Sequence, residues 1–275
     1  MKRICQAGYS RNVDMNNISV VVGASRGIGL AMVRDLLRRT KGKVIGGCRS
    51  PDRAEELQRL RVEHGDRLIV GPPIDMVRPD SIEHFGNEIE TMTNGRVDVL
   101  INTVGILHSK SSAPQAPERS LRHLTPEWFE ESLRTNTVGP LLLLRRFASM
   151  MRTKGSERPT SVAATLSARV GSISDNGLGG WYSYRISKAA LNMGLRTASL
   201  ELRRQGTRIL ALHPGTVETD LSEPFVGNVT KKKLLTPDQS ARALLDVVDR
   251  MGGMPEESPS DYHEFYDFNG IRVEW

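Results

Sequence analysis

The segment Val20-Val21-Val22-Gly23-Ala24-Ser25-Arg26-Gly27-Ile28-Gly29 constrains this chain most: a short apolar run passes through three glycines into a helical pattern. An apolar run of this length, closed by glycine, reads as a buried strand. Glycines at these spacings allow a tight turn, close approach of backbone N–H groups to phosphate, and close packing of the next helix on the strand. Leu30-Ala31-Met32-Val33 continues as that helix, and its N-terminus favours an anion. Ile18 to Gly29 is therefore expected to hold the pyrophosphate of a dinucleotide, with Gly23, Ser25, Arg26, Gly27, Ile28 and Gly29 at the ligand.

The same alternation runs along the chain. Apolar runs at 18–23, 43–48, 67–70, 97–102, 161–167 and 208–213 read as strands, and helical patterns lie at 27–39, 51–63, 79–92, 126–152 and 182–204. Pro51, Pro79 and Pro126 fall at first-turn positions, with Ser50 and Thr125 placed as N-caps. Repeated strand-helix-strand units imply an α/β chain: a three-layer, doubly wound Rossmann fold with a mainly parallel sheet. At 275 residues, 38% hydrophobic, the expectation is an extension over 1–17 and a single NAD(P)-binding domain over 18–275 that includes its substrate loops. Those loops are read at 108–119 and 223–237, both expected to be exposed.

Charge and cysteine content exclude several classes. The net charge of +6 is carried by scattered pairs and the run Lys231–Lys233, with few aromatics between them, so no nucleic-acid partner is expected. A small anionic ligand suits this balance. Cys5 and Cys48 fit neither a disulfide framework nor a metal spacing, which points to a reducing compartment and no metal. The cytoplasm is expected, with an organellar stroma or matrix as the alternative suggested by Lys2, Arg3 and Arg11. The leucine run 141–144 is far too short for a membrane span.

Charge also selects the dinucleotide. An Asp or Glu at the end of the second strand would read a ribose 2′-hydroxyl and repel a 2′-phosphate. This chain has Gly46-Gly47-Cys48-Arg49 there, with Arg26 inside the glycine turn, so NADP(H) is expected over NAD(H). Further along, Tyr184 and Lys188 are four apart and share a helix face. An ammonium beside a phenol is expected to lower its pKa and make it an acid/base group. His213 reads as a structural residue at a strand end.

Gly23-x-x-x-Gly27-x-Gly29, Asn102-Thr103-Val104-Gly105, Asn136, Tyr184-x-x-x-Lys188 and Pro214-Gly215-Thr216 stand in an order and spacing that resemble the classical short-chain dehydrogenases/reductases. Gly171-Ser172-Ile173, Gly180 to Arg185, Pro214 to Leu221 and Asp267 to Gly270 resemble the C-factor and sniffer-type carbonyl reductases in particular. The resemblance implies that Tyr184 gives a proton to a carbonyl, that Lys188 lowers its pKa and binds ribose hydroxyls, and that Asn136 holds a relay water. It also implies cofactor contacts from Asp75 at adenine, Asn102 and Gly105 after the fourth strand, and Pro214, Gly215, Val217 and Thr219 near the carboxamide. Relatives commonly form dimers or tetramers, so a homo-oligomer is expected.

Two positions depart from the family pattern. Ala168 stands where a serine usually hydrogen-bonds the substrate carbonyl, and Thr103 replaces an asparagine. Ser172 is the expected substitute donor, since Ser167 should point to the other face of its strand. The expected function is an NADPH-dependent carbonyl reductase of a small or medium carbonyl or alcohol substrate. The alternative, prompted by Ala168, is a non-catalytic dinucleotide-binding signalling or scaffold protein.

Overall fold

The computed structural model describes residues 17–108, 116–222, 234–253 and 263–275. In chain order these form β1 (Ile18–Val22), α1 (Gly27–Arg39), β2 (Lys43–Gly47), α2 (Glu55–His64), β3 (Leu68–Val70), α3 (Pro79–Thr93) and β4 (Val99–Asn102). There follow α4 (Pro126–Leu133), α5 (Gly139–Phe147), β5 (Ser161–Leu166), α6 (Tyr182–Leu202), β6 (Thr207–His213), α7 (Pro237–Gly253) and β7 (Phe265–Asp267). The described strands make one sheet in the order β3-β2-β1-β4-β5-β6-β7, and every neighbouring pair is parallel.

Side chains alternate across that sheet and fill a core on each face. Val21 packs with Leu36 of α1, Leu57 of α2 and Leu244 of α7. Val20 and Val22 face the other way, toward Phe85 of α3, Phe147 of α5 and Leu191 of α6. This is the expected three-layer Rossmann arrangement. The strand order reverses between β1 and β4, whose ends are in register at Val22 and Asn102. A crevice at the carboxyl ends of the strands is the consequence.

Close packing fixes the first turn beside that crevice. Gly23 has φ of +93°, and the N–H groups of Gly23 and Ala24 both donate to the Gly47 carbonyl at the end of β2. A Cβ on Gly29 would lie 2.2 Å from the Gly23 carbonyl oxygen, so α1 can start only where it does with glycine there. Thr103 Oγ1 donates to the Val22 carbonyl, 3.0 Å away, and ties the end of β4 beneath the turn. Thr103, standing where the resemblance expects asparagine, is thus itself part of the packing under the turn.

The structure differs from several expectations. The helix expected over 126–152 is interrupted by a π-helical turn at Arg134–Val138 and its second half ends at Phe147. Pro140 has no N–H to give the Asn136 carbonyl, which an α-helix would require. Pro51 opens a short 3₁₀ turn, so α2 begins only at Glu55. Thr125 caps α4 by accepting the Trp128 N–H, whereas Ser50 makes no side-chain cap. Helix α7 and strand β7 were not expected, and the end of the loop read at 108–119 is not exposed, because Glu118 is buried. Residues 1–16, 109–115 and 223–233, which hold most of the expected extension and parts of both expected loops, lie outside the described residues. Among the described residues no helix is long and apolar enough to cross a membrane.

Gly29→Ala should destabilise the protein by about 2–3 kcal/mol, as overpacking against fixed backbone does. Urea unfolding of the variant against the parent reads this; an unchanged midpoint would mean that α1 can withdraw from the turn at little cost.

Candidate active site at the carboxyl edge of the sheet

The loops following β1, β2, β4, β5 and β6 bring the motif residues to one edge. Gly23, Ser25, Gly27, Ile28 and Gly29 form the turn and the start of α1, with Gly27 at φ of +56°. A Cβ on Gly27 would sit 3.6 Å from Thr219 Cγ2, so the Pro214-to-Leu221 segment lies directly against the turn. Val217 of that segment is buried and bridges to Leu235, the Pro214 carbonyl accepts the Ser240 hydroxyl, and Gly215 has φ of +81° with no room for a side chain beside Leu235 and Phe268. Asn102 accepts the Val104 N–H through Oδ1, while its buried Nδ2 has no partner.

The second group surrounds the first turns of α6. Tyr184 and Lys188 are both buried, and Lys188 Nζ lies 5.8 Å from the tyrosine ring centroid. Lys188 Nζ donates to the Leu166 carbonyl at the end of β5, 2.9 Å away. Asn136, in the π turn, is fully buried: its Oδ1 accepts the Ile106 N–H and its Nδ2 donates to the Ile106 carbonyl and Ser187 Oγ. A Cβ on Gly105 would stand 3.2 Å from Asn136 Oδ1 and 3.3 Å from Lys188 Nζ. Gly105, Asn136 and Lys188 are thus mutual neighbours, so close that a side chain at Gly105 would press on both.

Electrostatics here are set by burial. Removal from water pushes the Tyr184 phenol above its ordinary range, contrary to the lowering expected from its lysine neighbour. The same effect lowers the Lys188 ammonium to about 8. His213 is pushed down to about 4, chiefly by burial, which keeps it neutral and suits its structural reading.

The remaining expected residues are placed less simply. Ala168 packs with Leu107 and Tyr184, and Val170 and Trp181 complete an apolar wall with no hydroxyl at that position. Ser167 donates to Asn192 Oδ1, 2.6 Å away, and faces away from this role. Ser172 is buried, and its Oγ accepts the Asp175 N–H at 3.1 Å. Arg49 is exposed two residues beyond Gly47. Arg26 is exposed too, but its guanidinium pairs with Asp220 at 2.7 Å, so an anion there would compete with that carboxylate. Asp75 accepts the Val77 N–H and stabilises its own turn. Sequence reasoning missed Glu118, a buried carboxylate bonded to Ser183 at the start of α6.

These residues fit a bound dinucleotide. The cradle has no room for a side chain at Gly23 or Gly29 and needs the left-handed backbone of Gly27, the Asn102 amide is buried without a partner, and Gly105 brings bare backbone against Lys188.

Comparison with known proteins agrees with this fold. A family model described as short chain dehydrogenase matches residues 17–228. The chain is 33% identical over 181 residues to C-signal of Myxococcus xanthus, covering 66% of this chain and 94% of that protein. An NADPH-bound carbonyl reductase from chicken fatty liver superposes with a TM-score of 0.79 at 32% identity, over 94% of this chain and 99% of the other. The carbonyl reductase Sniffer of D. melanogaster gives 0.79 at 25% identity, over 95% of this chain and all of that one.

The lowered Lys188 value has a thermodynamic sign. An unfolded lysine titrates at its ordinary 10.5, so between about 8 and that value the unfolded state holds the extra proton and stability rises with pH. Lys188→Met should therefore gain stability over the parent below about pH 8 and lose that advantage as pH climbs toward 10.5. Denaturant titrations of both proteins across this window check it; a pH-independent difference would contradict the assignment.

Proposed function

This chain belongs to the short-chain dehydrogenase family, and from that membership we propose that it is an NADPH-dependent carbonyl reductase acting on a small or medium carbonyl substrate, with Tyr184 as proton donor. One observation carries the reading: the buried Tyr184 and Lys188 pair stands at the same sheet edge as the glycine cradle, with Gly105 and Asn136 beside it. The NADPH bound to the similar chicken enzyme supports the cofactor, as do Arg49 and the absence of an acidic residue at the end of β2.

Reduction adds a hydride to the carbonyl carbon and a proton to its oxygen. When bound, the reduced nicotinamide supplies the hydride. Tyr184, kept protonated by burial, gives its phenolic proton to the oxygen. Lys188 and Asn136 would hold the ribose hydroxyls and the water through which Tyr184 is reprotonated. Gly23, Ser25, Arg26, Gly27, Ile28 and Gly29 would hold the pyrophosphate region, Arg26 and Arg49 the 2′-phosphate, and Asp75 the adenine. Asn102, Gly105, Pro214, Gly215, Val217 and Thr219 would hold the nicotinamide half. Leu107, Ala168, Val170 and Trp181 keep water from Tyr184 and favour an apolar flank on the substrate.

Ser172 is the proposed donor to the carbonyl, since Ser167 already gives its proton to Asn192. Without any donor the rate would fall by roughly 10²–10³, as removal of an oxyanion-hole hydrogen bond does. Ala168 also favours a second reading, a dinucleotide-binding scaffold that has lost turnover. Self-association is proposed as well: Ile186, Met193 and Leu200 recur every seven residues along one exposed face of α6, and light scattering of the purified chain tests it.

Tyr184→Phe should lower carbonyl reduction by about 10²–10⁴-fold with NADPH still bound. Turnover surviving that change would overturn the mechanism, and NADPH binding without turnover in the parent would favour the scaffold. Arg49→Asp should erase a preference for NADPH over NADH in competition binding; equal affinities in the parent would refute the phosphate site.

A further inference from the structure

Helix α6 carries Tyr184 yet begins without a cap of its own. Its first flanking residue, Trp181, sits in the left-handed region at φ of +54° and makes no side-chain capping hydrogen bond, and no acidic residue occupies the first turn. One free N–H of that turn, on Ser183, and the N–H of the flanking Trp181 are met from a distant part of the chain. Both carboxylate oxygens of Glu118 accept the Ser183 N–H, at 3.3 and 3.2 Å, and Oε1 also accepts the Ser183 hydroxyl. The Glu118 carbonyl accepts the Trp181 N–H at 2.5 Å. Glu118 is 3% exposed and Ser183 is fully buried.

A carboxylate hidden from water needs strong partners, and here these are the positive end of a helix and a hydroxyl. The contact also reaches the site. Ser183 directly precedes Tyr184, Trp181 meets the Tyr184 ring edge-on with centroids 6.3 Å apart, and Leu107 packs on Tyr184 from the loop that leads toward Glu118. One side chain thereby joins the loop after β4 to the turn that aims the phenol.

We infer that Glu118 is a positioning residue: its buried carboxylate clamps the first turn of α6 and so holds Tyr184 against the substrate carbonyl. The inference rests on Tyr184 being the proton donor. Misplacing a catalytic group by about 1 Å can lower a rate by some 10²-fold, so a lost clamp should be visible in kcat.

The test compares Glu118→Ala and Glu118→Gln with the parent by steady-state kinetics on a carbonyl panel, NADPH binding by fluorescence, and hydrogen exchange over residues 181–190. Glu118→Ala should lower kcat by about ten-fold or more, leave the NADPH dissociation constant within about two-fold, and speed exchange in the first turn of α6. Glu118→Gln keeps an acceptor oxygen for the Ser183 N–H, so it should recover much of both kcat and protection; it also covers the case in which the alanine variant does not fold. Unchanged exchange in both variants would overturn the clamp whatever the activity. Faster exchange with kcat unchanged would overturn the link to Tyr184, whereas a parent that reduces no carbonyl would overturn the proposed function itself.

Discussion

Gly29 approaches the Gly23 carbonyl so closely that a single added carbon would fall 2.2 Å from the oxygen, and the rest of the site is built outward from that contact. It places the N-terminus of α1 directly over the end of β1. The two N–H groups given to Gly47 then tie the turn to β2, and the Thr103 hydroxyl ties it to β4. Three strand ends are locked together around a patch of open backbone, which is the geometry a pyrophosphate needs.

The chemical half of the site depends on the opposite device, burial of polar groups. Lys188 is anchored to the Leu166 carbonyl, and Asn136 is held by both backbone groups of Ile106. Such groups are tolerated in an apolar setting because they are paired, and the pairing leaves them little freedom. The π turn belongs to the same arrangement: Pro140 breaks the helical ladder at Asn136, and π turns of this kind often mark functional positions. Burial acts on both side chains and outweighs the lowering of the Tyr184 pKa expected from Lys188.

The sheet and the glycine turn were legible in the sequence because each rests on local signals: continuous apolar runs, glycine spacing and first-turn prolines. Six of the seven described strands follow from those runs. β7 spans only three residues and gains its identity from pairing with β6, a contact no local pattern announces. α7 has a local signal of its own, since Thr236 and Gln239 form a reciprocal capping box just before its apolar face. Glu118 could not be foreseen, because its role depends on meeting Ser183, 65 residues away in the chain. Arg26 illustrates the same limit: its place in the turn was evident, but its pairing with Asp220 arises only when the segment after β6 folds over that turn.

Cradle and acid/base pair form one reaction site only if a hydride passes from the dinucleotide to a carbonyl that Tyr184 protonates. The most direct measurement uses NADPH deuterated at the transferring position of the nicotinamide, followed by mass spectrometry of the alcohol formed from each member of a carbonyl panel. The account predicts an alcohol carrying deuterium on its carbinol carbon. Bound NADPH with no labelled alcohol from any carbonyl would contradict it.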